Sequence, residues 1–384
     1  MTEADFLVIG GGIAGLSAAS RLVGHGKVVV LEGESALGYH SSGRSVSFSH
    51  YGIGNSAVRG LTAWSRPFLE DPPGDFCATP LSRTFASLYF ATEESLPALE
   101  ALEGEMARFT DRTRRIDVVA IAALCPALRT GRGAAVSGVL DPTGLKLDSD
   151  ALLQAFARAV RAGGGELLTG RRITSIERRA DGWRVAAETG ETWSAPILIN
   201  AAGAWADRLA ALAGVAPIGL QPKRRTIIVV DPPAGSDISA WPFAHSAARD
   251  FYMLPEAGQL LASPADEVPD DPCDAAPDDY DVALAADRLE HYTSVPVTRI
   301  AHRWAGLRSF VADGTPTAGF DPEAPGFFWL VGQGGYGLQT APAMAAIAES
   351  LLTGSAWPAG LDALGVGGDA IRPERLRSSQ GCAT

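Results

Sequence analysis

Residues 5–15 read Asp5-Phe6-Leu7-Val8-Ile9-Gly10-Gly11-Gly12-Ile13-Ala14-Gly15, and Glu32 closes the next apolar run, Val28-Val29-Val30-Leu31. The pattern predicts a buried strand, a glycine turn opening a helix, and a second strand ending on a carboxylate, an arrangement that seats a dinucleotide. Gly10 allows the tight turn. Gly12 lets backbone approach a pyrophosphate, and Gly15 lets the helix pack close on the strand. The helix start, at Ile13 and Ala14, offers free N–H groups and a positive dipole end to phosphates. Glu32 lies seventeen residues beyond Gly15, where a carboxylate meets a ribose diol.

The 384 residues exceed a usual single core, so two domains or one elaborated domain are expected. A formal charge of −12 gives the chain no general attraction to phosphate backbones or anionic lipids, which argues against nucleic-acid and membrane partners. Cys77, Cys125, Cys273 and Cys382 show no C-x-x-C spacing and no histidine at metal-ligand distance, so reduced thiols are expected and a metal is not. No apolar run approaches a membrane span and no basic segment precedes an apolar one, so a cytoplasmic protein is expected.

Along the chain, helices are expected from Ile13 to about Val23, over 94–109, over 117–128 and over 150–162, and strands over 83–91, 173–177 and 183–187. The buried run 196–200 leads into Ala201-Ala202-Gly203-Ala204-Trp205, where small residues again let backbone come close to something. From 217 to 287 the texture is β-rich, with 264–280 an acid- and proline-rich loop. The strand 327–331, the loop Gly332-Gln333-Gly334-Gly335-Tyr336-Gly337 and a helix over 340–352 resume the α/β pattern, and residues after Pro373 read as a tail. Glycine loops at both chain ends thus flank a β-rich middle. The fold class expected is α/β: a discontinuous Rossmann-type dinucleotide-binding domain (1–82, 143–217 and 300–384) with an inserted, sheet-rich α+β substrate domain (83–142 and 218–299).

These features resemble the D-amino acid oxidase/glycine oxidase family of flavoproteins, and within it the bacterial D-arginine dehydrogenase group. The likeness is carried by Gly38-Tyr39-His40-Ser41-Ser42-Gly43-Arg44-Ser45, Leu220-Gln221-Pro222-Lys223-Arg224-Arg225, Trp304-Ala305-Gly306-Leu307-Arg308-Ser309-Phe310 and Gln333-Gly334-Gly335-Tyr336-Gly337, in order along the chain. The resemblance implies noncovalent FAD, with Glu32 at the adenosine ribose and Gly12, Ser41, Ser42, Gly43 and Arg44 at the pyrophosphate. It places Ala201, Gly203 and Trp205 over the nucleotide, and Gly334, Gly335, Tyr336, Gly337 and Gln339 near the flavin, with Gly306 and Arg308 beside it. The implied chemistry is hydride transfer from substrate Cα to flavin N5, giving an imino acid that water converts to a keto acid and ammonia.

An amino-acid oxidant needs a cation for the carboxylate and no nucleophile or metal, because the flavin takes the electrons. Arg308 follows an apolar run, so it is either a carboxylate anchor or one half of an internal ion pair. Arg225 is the second candidate cation, and Tyr252 is either a core ring or a hydroxyl for the same carboxylate. In the arginine-selective relatives an acid pairs with the substrate's cationic end; Ser87 stands in that slot here, which predicts neutral or apolar substrate side chains. His50 and Tyr51 match the family's lid only ambiguously, and a loop histidine without visible partners reads equally as solvated. The expected function is oxidation of the Cα–N bond of a small D-amino acid. The alternatives are a secondary-amine or biosynthetic tailoring oxidase, an aromatic hydroxylase, and a non-catalytic flavin-binding sensor or assembly protein. Oxygen, a quinone or another carrier could each reoxidise the flavin.

Overall fold

The computed structural model describes residues 2–378; Cys382 lies outside them. Its first sheet orders the strands Glu166–Leu168, Val28–Leu31, Phe6–Ile9, Ile197–Asn200, Phe327–Val331 and Thr317–Phe320. The first five run parallel and the last antiparallel. Continuous apolar runs form these strands because both faces are covered. Leu7, Ile9, Val29 and Leu31 pack on one side against Trp183, Val185 and Trp193 of a four-stranded sheet. Phe6, Val8, Val28 and Val30 point the other way, onto the helices Ile13–Leu22 and Gly337–Thr353. Strand alternation thus divides one apolar run between two cores.

A second, nine-stranded sheet carries the inserted half. Near one edge of it the strand Gln221–Val230 pairs antiparallel with Ile300–Phe310 along nearly its whole length. On sequence the segment from 300 belongs with the nucleotide half, yet by pairing this strand is part of the larger sheet. One face of that sheet is covered by the helices Val118–Leu124 and Asp279–Tyr292, through Ile121, Val282, Ala285 and Leu289. On the other face Ile227, Phe243 and Tyr252 pack with Phe48, which lies on the short strand Phe48–Ser49 of a separate three-stranded sheet.

Several expected elements shift. The helices over 94–109 and 117–128 shorten to Leu96–Met106 and Val118–Leu124. Helix Ser56–Glu70 was not foreseen, and helix Asp279–Tyr292 arises within the segment read as β-rich. Its start is set by Asp278, whose carboxylate accepts from the Tyr280 amide at 2.9 Å. Within the segment read as a tail, Glu374–Ser378 is a short helix in which Arg377 pairs with Asp321 and Arg375 Nε reaches Asp313 Oδ2 at 2.8 Å. Among the described residues no helix is long and apolar enough to cross a membrane, and no three metal-ligating side chains cluster.

The glycine turn is the tightest point of the first half. Gly10 has φ +114°, and a Cβ there would sit 2.3 Å from the Ala201 carbonyl oxygen; one on Gly15 would sit 2.0 Å from the Gly10 carbonyl oxygen. Both obstacles are backbone, so neither can swing aside. Gly15→Ala should therefore push the helix off its strand, and the purified variant should show a much lower flavin-to-protein absorbance ratio. A ratio equal to wild type would show that the helix shifts without cost.

Candidate active site

Where the two halves meet, the chain encloses a cavity of about 1220 Å³, larger than the ~300–1,000 Å³ that holds a drug-sized ligand. At one end it is lined by Gly12, Ile13 and Ala14 at the start of the first helix, with Ser41, Ser42 and Arg44. Ala201, Gly203, Gly334, Gly335, Tyr336, Gly337 and Gln339 continue the wall, which ends on Gly306, Arg308, Arg225, Tyr252, Phe243, His245 and His50. The expected nucleotide residues therefore meet the expected substrate residues in one space.

Other expected cofactor residues act from behind that wall. Gly10 and Gly15 set the turn, and the Gly43 amide donates to the Gly38 carbonyl at 2.8 Å to close the next one. Glu32 accepts from the amides of Gly11 (2.7 Å) and Glu34 (2.8 Å), which fixes its carboxylate and leaves each oxygen further acceptor capacity. Ser42 Oγ accepts from the Ile13 amide at 3.0 Å. Arg44 is engaged by the protein: it pairs with Asp274 and donates to the Ala275 carbonyl at 3.0 Å. Trp205 lies against His40 at 4.5 Å between ring centroids, outside the main cavity. Gln339 does not simply face the cavity; its side chain brackets the His50 backbone and donates to Thr62 Oγ1 at 2.7 Å.

The substrate end is built on the paired strands. Lys223 stands opposite Arg308, and Arg225 opposite Gly306, so all four share a face. The Gly335 backbone lies directly on the Arg308 guanidinium, where a Cβ would come within 2.3 Å of Nε. Burial, together with the neighbouring Arg225 charge, pulls the Arg308 pKa down to about 10, so the group stays cationic at neutral pH. Glu267, which no sequence pattern marked within its loop, answers both cations. Its Oε1 lies 3.2 Å from Arg308 Nη1 and 3.6 Å from Arg225 Nη2, and its Oε2 lies 3.1 Å from Lys223 Nζ. Burial works to raise the Glu267 pKa, but Arg308, Lys223 and Arg225 outweigh it and hold the carboxyl below its ordinary range. Arg225 also donates from Nε to the Asp266 carbonyl at 2.8 Å and from Nη2 to the Ala265 carbonyl at 3.1 Å. Of the two possibilities for Arg308 the ion pair is the one present, and its partner is a cavity-lining carboxylate 44% exposed.

Next to these cations lies a group of rings. His50 is buried, with Nδ1 hydrogen-bonded to Tyr89 Oη at 2.6 Å, and its ring stacks on His245 at 4.9 Å. Burial and the Arg59 charge lower the His50 pKa to about 3, while burial, His50 and Arg225 lower that of His245. Both imidazoles are neutral at physiological pH. The solvated-loop possibility for His50 is overturned by Tyr89, a partner 39 positions away that only the fold brings near.

Two expected site residues are displaced. Tyr51 is buried away from the cavity, its ring 6.3 Å from Phe109. Ser87 is fully buried and does not line the cavity; Gly144 packs against its hydroxyl. A Cβ on Gly144 would come 2.8 Å from Ser87 Oγ. An acid at position 87 would be enclosed rather than offered to a substrate.

The family model described as FAD dependent oxidoreductase matches residues 5–351. The chain belongs to that family. Its cofactor is FAD, and a cleft running from a helix start to a glycine loop against a buried cation fits this FAD dependent oxidoreductase. Glycerol-3-phosphate dehydrogenase 1 of Mycobacterium tuberculosis is 26% identical over 344 residues, an alignment covering 81% of this chain and 63% of that protein. The chain thus spans under two thirds of that relative's length. The FAD-bound L-α-glycerophosphate oxidase of Mycoplasma pneumoniae superposes with a TM-score of 0.81 at 21% identity, covering 92% of this chain and 95% of that one. Glycine oxidase from Geobacillus kaustophilus gives 0.81 at 18% identity, covering 96% and 99%. At such identities the two structures share the fold.

The ring cluster gives this FAD dependent oxidoreductase an acid sensitivity. A histidine whose pKa is depressed on folding stabilises the native state above its unfolded pKa of about 6.5, and that stability is lost as pH falls. Between about pH 6.5 and 5, above the carboxylate range, the unfolding free energy from denaturant titration should fall by up to ~1.4 kcal/mol per pH unit for each of the two histidines. His50→Phe should flatten that slope by about half if the two contribute equally. A slope unchanged in the variant would mean that His50 titrates normally.

Proposed function

We propose that the chain oxidises the Cα–N bond of a small α-amino acid with a neutral side chain, of D configuration, to an imino acid that hydrolyses to a keto acid and ammonia. The observation that carries this reading is the pair Arg225 and Arg308, set on one face of two paired strands and lining the same cavity as the glycine loop. A planar guanidinium takes a carboxylate bidentately, and a second cation beside it favours the anion further. Bound FAD supplies the two-electron acceptor. Arg308 holds the substrate carboxylate, with the Tyr252 hydroxyl and Arg225 beside it. The Gly335 backbone, lying on the guanidinium, fixes its plane and so the direction in which Cα is presented. Glu267 occupies the carboxylate's partners and must yield when substrate enters. Preference for neutral side chains rests on Phe48, Phe243, Tyr252 and the neutral histidines rather than on Ser87. D configuration is supported by the sequence resemblance alone.

The deciding experiment is an anaerobic flavin-bleaching screen over D- and L-amino acids, secondary amines, 2-hydroxy acids and glycerol 3-phosphate. Bleaching by neutral D-amino acids supports the proposal; bleaching only by hydroxy compounds or secondary amines overturns it. Acid precipitation should release the flavin to the supernatant, because the sequence resemblance implies noncovalent FAD. Flavin that stays with the pellet would contradict this.

Arg308→Met should keep its flavin yet lose about 3 kcal/mol of transition-state stabilisation in kcat/KM, the scale of a charge-assisted bidentate contact. Normal turnover with lowered stability would make the arginine purely structural. Glu267→Gln should act oppositely: removing the competing carboxylate should lower KM for the amino acid about tenfold. An unchanged KM would show that Glu267 does not contest the site.

A further inference from the structure

The cavity has a second cationic end that the proposed reaction does not use. Arg59, on the helix Ser56–Glu70, and Arg249, in the turn after the strand Phe243–Ser246, both line it, together with Glu105 of the helix Leu96–Met106. From Arg225 the rings of Tyr252, His245 and Tyr89 follow at successive spacings of 5.6, 5.9 and 5.0 Å. The Arg59 charge acts on Tyr89 and His50, at the far end of that row. With three rings between the two cationic ends, one small amino acid does not span both. Ala98, Ala101, Ala248 and Arg249 are exposed, so this end opens to solvent.

The charges at this end are unequally answered. Among the described residues three carboxylates line the cavity: Glu267 faces the inner arginines, Asp313 is held by Arg375 at 2.8 Å, and Glu105 remains. Glu105 Oε2 lies 3.5 Å from Arg59 Nη1 and 3.6 Å from Arg108 Nη1, both longer than the about 2.7–2.9 Å of a charge-assisted hydrogen bond. Arg59 is 4% exposed, and its hydrogen bond runs from Nε to the Tyr51 carbonyl at 2.7 Å, which leaves the Nη donors for the cavity. Burial and the Arg249 and Arg108 charges outweigh Glu105 and pull the Arg59 pKa down. Arg249 forms no ion pair among the described residues. Its φ of +61° is one that glycine or asparagine holds at less cost, so the turn itself does not call for an arginine. A buried guanidinium with spare donors beside an unpaired one is a place for an anion. Resting on the amino-acid reading above, we infer that Arg59 and Arg249 form a second carboxylate subsite, where the amino acid stops on its way to Arg308 and the keto acid on its way out.

The test titrates trifluoroacetate, an unreactive carboxylate, into the FAD-loaded protein. Fluorine NMR reads all bound probe, and flavin absorbance reads probe at the inner anchor. In Arg308→Met the flavin response should be lost while fluorine NMR still finds bound probe. Adding Arg249→Gln to that variant should weaken the remaining binding at least about tenfold, the loss of one charge-assisted contact. Arg249→Lys in its place keeps the charge and should hold the binding near that of Arg308→Met alone. Trifluoroacetamide, of similar shape without the charge, should not bind there. Absence of bound probe in Arg308→Met, binding that Arg249→Gln leaves unchanged, or equal binding of the amide would each overturn the subsite. A wild-type flavin that does not respond to the probe would instead overturn the anchor, and the fluorine signal would still decide the subsite.

Discussion

Two guanidinium groups on one face of a strand pair cannot be buried side by side without carboxylates to answer them. Arginine does not discharge its proton at working pH, so the repulsion cannot be relieved by neutralisation, as it can for lysine or histidine. The strand register puts Arg225 and Arg308 in that position, and the loop from Ala265 to Glu267 is shaped by the consequence. Ala265 sits at φ +52°, an uncommon conformation for a residue with a Cβ, costing about 1–3 kcal/mol. Its carbonyl, like that of Asp266, accepts from Arg225. Asp266 in turn takes the Thr226 amide at 2.8 Å, which ties the loop to the same strand. The strain sits where charge compensation needs the backbone turned.

The same strand pair joins the two halves of the molecule. Ser41 donates to the Leu307 carbonyl, and Trp304 Nε1 donates to the Arg44 carbonyl at 2.9 Å. The loop expected to hold the pyrophosphate is therefore bonded to the strand that carries Arg308. From the other side Gly335 closes on Arg308 within the C-terminal glycine loop. Arg308, held both by nucleotide-loop contacts and by the glycine loop, has little freedom to move relative to either, which is the preorganisation the proposed carboxylate anchor needs.

What was legible in the sequence was what local geometry dictates. The turn at Gly10, the close approach at Gly15 and the strand ending on Glu32 are set within thirty residues, so spacing alone locates them. Arg308 is legible as a candidate because a cation in apolar sequence is costly anywhere, whereas Arg225, one of three adjacent cations, is not singled out by its neighbours. Ser87 and Tyr51 were misplaced for another reason. Strand alternation says which face a side chain takes but not what packs on that face, and Gly144 packs against the Ser87 hydroxyl. Tyr51 follows His50 directly, and the chain there sends one inward to Tyr89 and the other outward to Phe109. Glu267 and His245 carry no spacing signal. Their roles exist only through partners brought from other strands.

The arginines and the histidines meet burial by opposite routes, and this gives the cavity its polarity. Arginine keeps its charge and must be paired, which draws Glu267, Asp266 and Lys223 into one end. Histidine can shed its proton, and His50 and His245 do so because the Arg59 and Arg225 charges add to the cost of burial. One end of the substrate space is therefore ionic and the other neutral and ring-lined, within a few ångströms of each other. A molecule with a carboxylate at one end and an uncharged group at the other can enter in one direction only, since reversal would put the anion among rings and leave the arginines to Glu267. On the amino-acid reading proposed above, orientation is decided by the different acid strengths of arginine and histidine, before any contact with the reacting carbon.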